Sequence, residues 1–282
     1  MRLVRYGEAG KEKPGILDGN GAIRDLAGVI ADIDGAALTA QGLAKIRGAN
    51  VDSLPKVPGS PRLGAPVAAA SKLVAIGLNY SDHAKESNMP IPAEPIVFMK
   101  ATTSISGAND AVILPRGSKK GDWEVELAFV IGRKAQSVSE ADALDYVAGY
   151  TVCNDVSERE WQLEHGGQWV KGKSFDTFAP IGPWLVTADE IRDPQNLAMW
   201  LDVNGKRMQT GNTNTMIFGV RKLVSYLSYC MTLLPGDIVT TGTPPGVGLG
   251  VKPNPVFLKA GDSMRLGIDG LGEQKQEVKS AG

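Results

Sequence analysis

Histidine occurs only twice in the 282 residues, at His83 and His165. Sites built on several imidazoles are thereby excluded. Cysteine is as scarce, with Cys153 and Cys230 far apart in apolar surroundings, so neither a disulfide framework nor a thiolate zinc site is expected. Both cysteines read as small core residues, because the free thiol is among the most buried side chains. Neither charge is in surplus: thirty basic residues face thirty-one acidic ones, for a formal net charge of −1. Nucleic acid or an anionic membrane would demand a positive field. Neither is an expected partner, and a small molecule is. No uncharged apolar run approaches the ~20 residues that cross a bilayer, and the opening Met1-Arg2-Leu3-Val4-Arg5-Tyr6 turns polar at once. The expected location is the cytoplasm.

What is present is an ordinary globular composition, 43% hydrophobic and 22% charged, long enough to bury a full core. Residues 1 to about 50 read as a small unit, with a strand at Leu3 to Tyr6, a turn at Asp18-Gly19-Asn20-Gly21 and a short helix from Leu38 to Ile46. The stretch from Val51 to Pro66 is rich in proline and glycine, which removes backbone donors and restricts helix. It reads as a linker, so a small N-terminal domain and linker are expected over residues 1–66 and a larger domain over 67–282. Beyond it the apolar runs are short and bounded by Gly, Pro and Asp: Leu73 to Leu78, Ile96 to Met99, Val125 to Ile131, Ala148 to Cys153, Leu197 to Val203, Ile238 to Thr241 and Met264 to Ile268. Such runs suit strands. Helices are expected at Ser139 to Tyr146, where Ser139 can cap and Glu140 and Asp142 favour the first turn, and at Val220 to Met231. The expected fold is mainly β with flanking helices, an α+β arrangement.

The most informative segment is Gly121-Asp122-Trp123-Glu124-Val125-Glu126-Leu127-Ala128-Phe129-Val130-Ile131. Strand side chains alternate, so Glu124 and Glu126 share one face while Trp123, Val125 and Leu127 share the other. Two adjacent acids repel near an apolar run, and a bound dication relieves that repulsion; solvated acids on a half-exposed strand are the alternative. A third acid, Asp155, follows the apolar run Tyr150 to Asn154, where it could also cap a helix begun by Ser157-Glu158-Arg159-Glu160. Three carboxylates would make an all-oxygen site suited to Mg²⁺ or Mn²⁺, with Ca²⁺ as an alternative and Zn²⁺ disfavoured. In Asn79-Tyr80-Ser81-Asp82-His83-Ala84-Lys85-Glu86, a spacing of three puts His83 and Glu86 on one helix face. There the carboxylate can hold one ring nitrogen and leave the other to act as a general base. Asn88-Met89-Pro90-Ile91-Pro92 ends the helix, which could then move as a lid. His165 lacks such a partner and reads as a loop residue.

In order along the chain, Gly77-Leu78-Asn79-Tyr80 with His83 and Glu86, Glu124-Val125-Glu126, Asn154-Asp155 with Arg159 and Gln162, Gly172-Lys173-Ser174-Phe175-Asp176, and Gly242-Thr243-Pro244-Pro245-Gly246-Val247-Gly248 resemble the fumarylacetoacetate hydrolase family. The resemblance covers roughly residues 70 to 280. It implies a mixed β-sandwich or roll, a homodimer, and Mg²⁺ or Mn²⁺ on Glu124, Glu126 and Asp155. It further implies a catalytic dyad of His83 and Glu86, a catalytic Lys173, with Lys171 as an exposed charge, and substrate contacts by Arg159, Gln162 and Thr243. The chain has Asn79 near the position where larger members carry a further aspartate ligand, which points to the smaller, acylpyruvase-like subgroup. The implied substrate is a 2,4-dioxo acid cleaved to pyruvate, with 2,4-diketo-3-deoxy-L-rhamnonate or L-fuconate as the finer expectation. Fumarylpyruvate or acylpyruvate hydrolysis, oxaloacetate decarboxylation and dioxo-acid isomerisation are the rival activities, and a catalytically silent metal-binding protein is the remote one.

Overall fold

The computed structural model describes all 282 residues. The first strands are β1 (Arg2–Tyr6), β2 (Lys13–Leu17), β3 (Ile23–Asp25) and β4 (Leu63–Gly64). The middle of the chain supplies β5 (Leu73–Gly77), β6 (Ile96–Lys100), β7 (Ile105–Gly107), β8 (Val112–Leu114), β9 (Gly121–Asp122), β10 (Val125–Ile131), β11 (Val147–Asn154) and β12 (Ser157–Glu158). The remainder are β13 (Ala179–Thr187), β14 (Ala198–Val203), β15 (Lys206–Asn212), β16 (Ile238–Thr240), β17 (Ser263–Ile268) and β18 (Gly272–Ser280). Five α-helices flank them: α1 (Ala40–Arg47), α2 (Ser81–Glu86), α3 (Arg159–Leu163), α4 (Val170–Lys173) and α5 (Val220–Cys230). The protein is mainly β, as its short apolar runs indicate, and none of its helices is long and apolar enough to cross a membrane.

One large mixed sheet runs β3-β2-β1-β13-β11-β10-β16-β5-β6, with β4 added on β1 and β7 on β13. A second sheet, β15-β14-β17-β18-β8, packs across one face of it. Strand β10 sits at the centre and shows why its sequence reads as a continuous apolar run. Val125, Leu127, Phe129 and Ile131 enter the core shared with Met199, Leu201, Met264 and Leu266 of the second sheet. Ala128 and Val130 enter the opposite core, with Leu3, Ile16, Leu43 and Ile46. A strand buried on both faces loses the polar half of the alternation. Residues 1–66 and 67–282 share the large sheet, because β1 pairs with β13 in the register Leu3↔Leu185. Arg62, within the proline-rich stretch, joins Glu12 at 2.8 Å to Asp110 at 2.6 Å.

Two expectations are corrected. The helix expected over Ser139 to Tyr146 is a turn followed by a short 3-10 helix, Ala143–Tyr146. The Ser139 hydroxyl does accept from the Asp142 amide. Only Ala143 in that helix is buried, however, so no apolar stripe holds a longer one in place. Cys153 is buried as expected, but Cys230 is exposed, since it ends α5 beyond the last buried positions, Leu227 and Ser228.

Candidate active site

The register of the central hairpin gathers the acids. β10 and β11 pair Val125 with Asn154 and Glu126 with Cys153, and the Asp155 amide donates to the Glu124 carbonyl at 2.9 Å. Asp155 therefore lies across from Glu124 at the end of the ladder, with Glu126 one pleat away. The three side chains are buried, and one carboxylate oxygen of each lies within 4.8 Å of the others. The donor set is all hard oxygen, and Glu126 accepts only the Gly242 amide, at 2.9 Å, with no cation paired to it in the chain. Burial, then the charges of Asp155 and Glu124, push its carboxyl well above the usual range. These residues fit a hard dication, which would supply the missing positive charge.

Cations from elsewhere already balance the other two acids. The Lys173 ammonium, at the end of α4, donates to Glu124 and Asp155 at 2.7 Å each. Arg159, on α3, adds a 2.7 Å contact to Glu124. Against the burial that raises it, Lys173 and Arg159 draw the Glu124 carboxyl down to about 2. Lys100, the last residue of β6, donates to Asp155 at 2.5 Å and to the Val156 carbonyl at 3.2 Å. Burial holds this ammonium below its ordinary value despite the attraction of Asp155. Lys171 is exposed and donates to the His165 carbonyl.

Helix α2 stands over the cluster because Asn79 pins the turn before it. The Asn79 amide nitrogen donates to the Phe218 and Thr241 carbonyls, and its oxygen accepts the Phe218 amide. His83 Nδ1 lies 3.0 Å from Glu86 Oε2, while His83 Nε2 has no hydrogen-bond partner in the chain. Burial opposes ionisation of Glu86, but His83, the Gly246 amide and the charge of Lys252 hold it below the usual carboxylate range. Eight of the nine residues singled out by sequence line one cavity of about 430 Å³; Asp155 lies behind Lys173 and does not. His165 stays outside it, stacked on Trp161.

The two helices on the far wall meet at a glycine. A Cβ on Gly172 would sit 2.4 Å from both the Gln162 nitrogen and the Glu158 oxygen. Gly172→Ala is expected to force α4 from α3 and lower stability by about 1–3 kcal/mol, the usual range for overpacking. A thermal-unfolding midpoint unchanged from wild type would contradict this. Gln162 accepts from Arg159 at 2.9 Å, and its amide nitrogen has no partner in the chain. Thr243 lines the cavity, but its hydroxyl donates to the Val125 carbonyl and accepts from Gln209, both at 2.8 Å. Its hydroxyl proton therefore holds the loop in place.

Sequence reasoning missed Lys100, Asp122 and Gln209. Asp122 carried a signal, since it continues the two-residue spacing of Glu124 and Glu126; Lys100 closed an apolar run one residue beyond its expected end. Gln209 carried none.

Buried acids beneath a deep cavity, roofed by a histidine–glutamate pair and set in a mixed β-sandwich, define a small-molecule enzyme. The chain belongs to the fumarylacetoacetate hydrolase family: the description "Fumarylacetoacetate (FAA) hydrolase C-terminal" matches residues 72–279. A Burkholderia ambifaria protein described as "Putative hydrolase" is 62% identical, with both chains covered in full. Maleylpyruvate hydrolase from Sphingobium sp. SYK-6, solved with manganese(II) and pyruvate, is 31% identical over all of both chains, with a TM-score of 0.84. 2-Hydroxyhepta-2,4-diene-1,7-dioate isomerase from Mycobacterium marinum is 36% identical over all of this chain and 99% of its own, with a TM-score of 0.79.

Proposed function

We propose that the protein is a divalent-cation-dependent hydrolase that adds water across the C3–C4 bond of a 2,4-dioxo acid, releasing pyruvate and a second carboxylic acid. As its substrate we propose 2,4-diketo-3-deoxy-L-rhamnonate or L-fuconate, which would give lactate as the second product. The observation that supports this most is the meeting, in one cavity, of the His83–Glu86 pair and Lys173 with a buried three-carboxylate cluster. The Sphingobium relative binds manganese(II) and pyruvate, the cofactor class and product this reading requires.

Mg²⁺ or Mn²⁺ held by Glu124, Glu126 and Asp155 would supply a Lewis acid and a template for the α-keto acid end. The chain's own groups do the rest. Glu86 orients the His83 ring, whose free Nε2 takes a proton from the water that attacks C4. The Lys173 ammonium and the unpaired amide of Gln162 stabilise the oxyanion formed there. When the C3–C4 bond breaks, the pyruvate carbon C3 receives its proton from Lys173. Arg159 fixes Glu124 and Gln162 in place. The outer wall, with Met89, Leu163, Trp169, Leu249 and Pro255, suits a short, weakly polar tail.

A second reading, isomerisation of an unsaturated dioxo acid, is favoured by the name of the Mycobacterium marinum relative. Incubation of the Mn²⁺-loaded protein with a panel of 2,4-dioxo acids and oxaloacetate, followed by assay of pyruvate, lactate and CO₂, tests both. Pyruvate from the 2,4-dioxo acids supports hydrolysis. A changed ultraviolet spectrum without cleavage supports isomerisation, and pyruvate with CO₂ from oxaloacetate alone defeats the hydrolase reading.

A further inference from the structure

The loop from Gly242 to Gly250 holds three carboxylates, carried by α2, β9 and β10. Its Gly242 amide donates to Glu126, its Gly246 amide to Glu86 at 3.0 Å, and its Gly248 and Leu249 amides to Asp122 at 2.6 and 3.0 Å. Glu126 belongs to the acid cluster and Glu86 to the histidine pair, whereas Asp122 belongs to neither. Asp122 is fully buried, and its other donors are the adjacent Trp123 amide at 2.8 Å and Arg159 Nε at 2.8 Å. A buried carboxylate requires donors, but these come from α3 and from a glycine-rich loop more than 120 positions away. Four glycines make that loop entropically expensive to order. Two of the bonds that fix its far half are made by Asp122.

We propose that Asp122 is a positioning residue: its carboxylate locks the loop to Arg159 and, through the Gly246–Glu86 contact, holds α2 with His83 over the acid cluster. Two routes leave Asp122. One runs through Arg159 to Glu124 and Gln162, the other through the loop to Glu86 and His83. Asp122 thus sets the distance between the roof and the floor of the cavity without lining it. The role rests on the proposed use of the cavity, yet its test requires no turnover.

The full chain, as wild type and as Asp122→Asn, is loaded with Mn²⁺ and titrated with oxalate, and amide hydrogen exchange is followed in both. Asp122→Asn is expected to keep Mn²⁺ affinity within threefold while oxalate affinity falls at least tenfold. Exchange over residues 242–250 and 81–88 should quicken at least tenfold, with β10 and β11 unchanged. Wild-type exchange over 81–88 would overturn the proposal, as would a loss of Mn²⁺ affinity equal to the loss for oxalate. If the wild type itself binds no oxalate, the proposed function fails, and exchange over 81–88 alone decides the role of Asp122. Should Asp122→Asn not fold, Leu249→Pro removes one loop donor at a partly exposed site, with Leu249→Ala as the side-chain control. Faster exchange over 81–88 in the proline variant only supports the link, and equal exchange in the two overturns it.

Discussion

Glu126→Ala is expected to abolish cation-dependent turnover and to weaken Mn²⁺ binding at least a hundredfold by calorimetry. The buried cluster of Glu124, Glu126 and Asp155, with Asp122 beside it, brings four carboxylates against three cations, Lys100, Lys173 and Arg159. One negative charge is in excess, and it resides on the acid that no chain cation touches. Removing Glu126 leaves a neutral cluster in which Lys173 and Lys100 already occupy the remaining acids. The isosteric Glu126→Gln should lose the ion equally, yet raise the thermal midpoint of the metal-free protein by a few degrees, because it removes an acid whose ionisation is opposed by burial and by Asp155 and Glu124. The raised carboxyl of Glu126 also gives a sign for pH. Burial and the two neighbouring acids oppose its ionisation, and an ion needs the ionised form, so affinity is expected to weaken as pH falls. Equal Mn²⁺ affinity in wild type and Glu126→Ala would remove the ion site.

His83→Ala should act on rate alone. His83 meets the cluster only across the cavity and bonds to Glu86, so Mn²⁺ affinity should stay within twofold of wild type. Turnover of whichever dioxo acid the panel identifies should fall by at least ~10², the contribution typical of a general base. A variant that retained more than a tenth of wild-type kcat would transfer the proton-accepting role to another group. The contrast between the two substitutions, one removing binding and rate together and the other rate alone, separates the floor of the cavity from its roof.

Much of this arrangement was legible in the sequence because it is local. The run Val125 to Ile131 names its strand, and the spacing of Glu124 and Glu126 survives folding because both belong to one chain segment. Helix α5 announces itself through Val220, Leu223, Val224 and Leu227, one side of a 3.6-residue repeat. The pairing of His83 with Glu86 is a contact three residues apart. Contacts made at long range left no such trace. Lys100 reaches Asp155 across 55 positions, and Gln209 ties Val125 to Thr243 and Pro244 from another sheet. The same limit explains Thr243, whose hydroxyl is engaged by groups that no local pattern reveals. Ser139 to Tyr146 fails in the opposite way, with good capping chemistry and no apolar stripe to secure a helix.

The hydrogen bonds that tie the 242–250 loop to three acids leave the outer wall of the cavity with a different freedom. Met89, Leu163 and Leu249 are exposed, and their side chains anchor none of the groups assigned to the proposed chemistry. Exchanging those apolar side chains is therefore expected to change which tail the cavity admits while leaving the acids and the histidine pair in place.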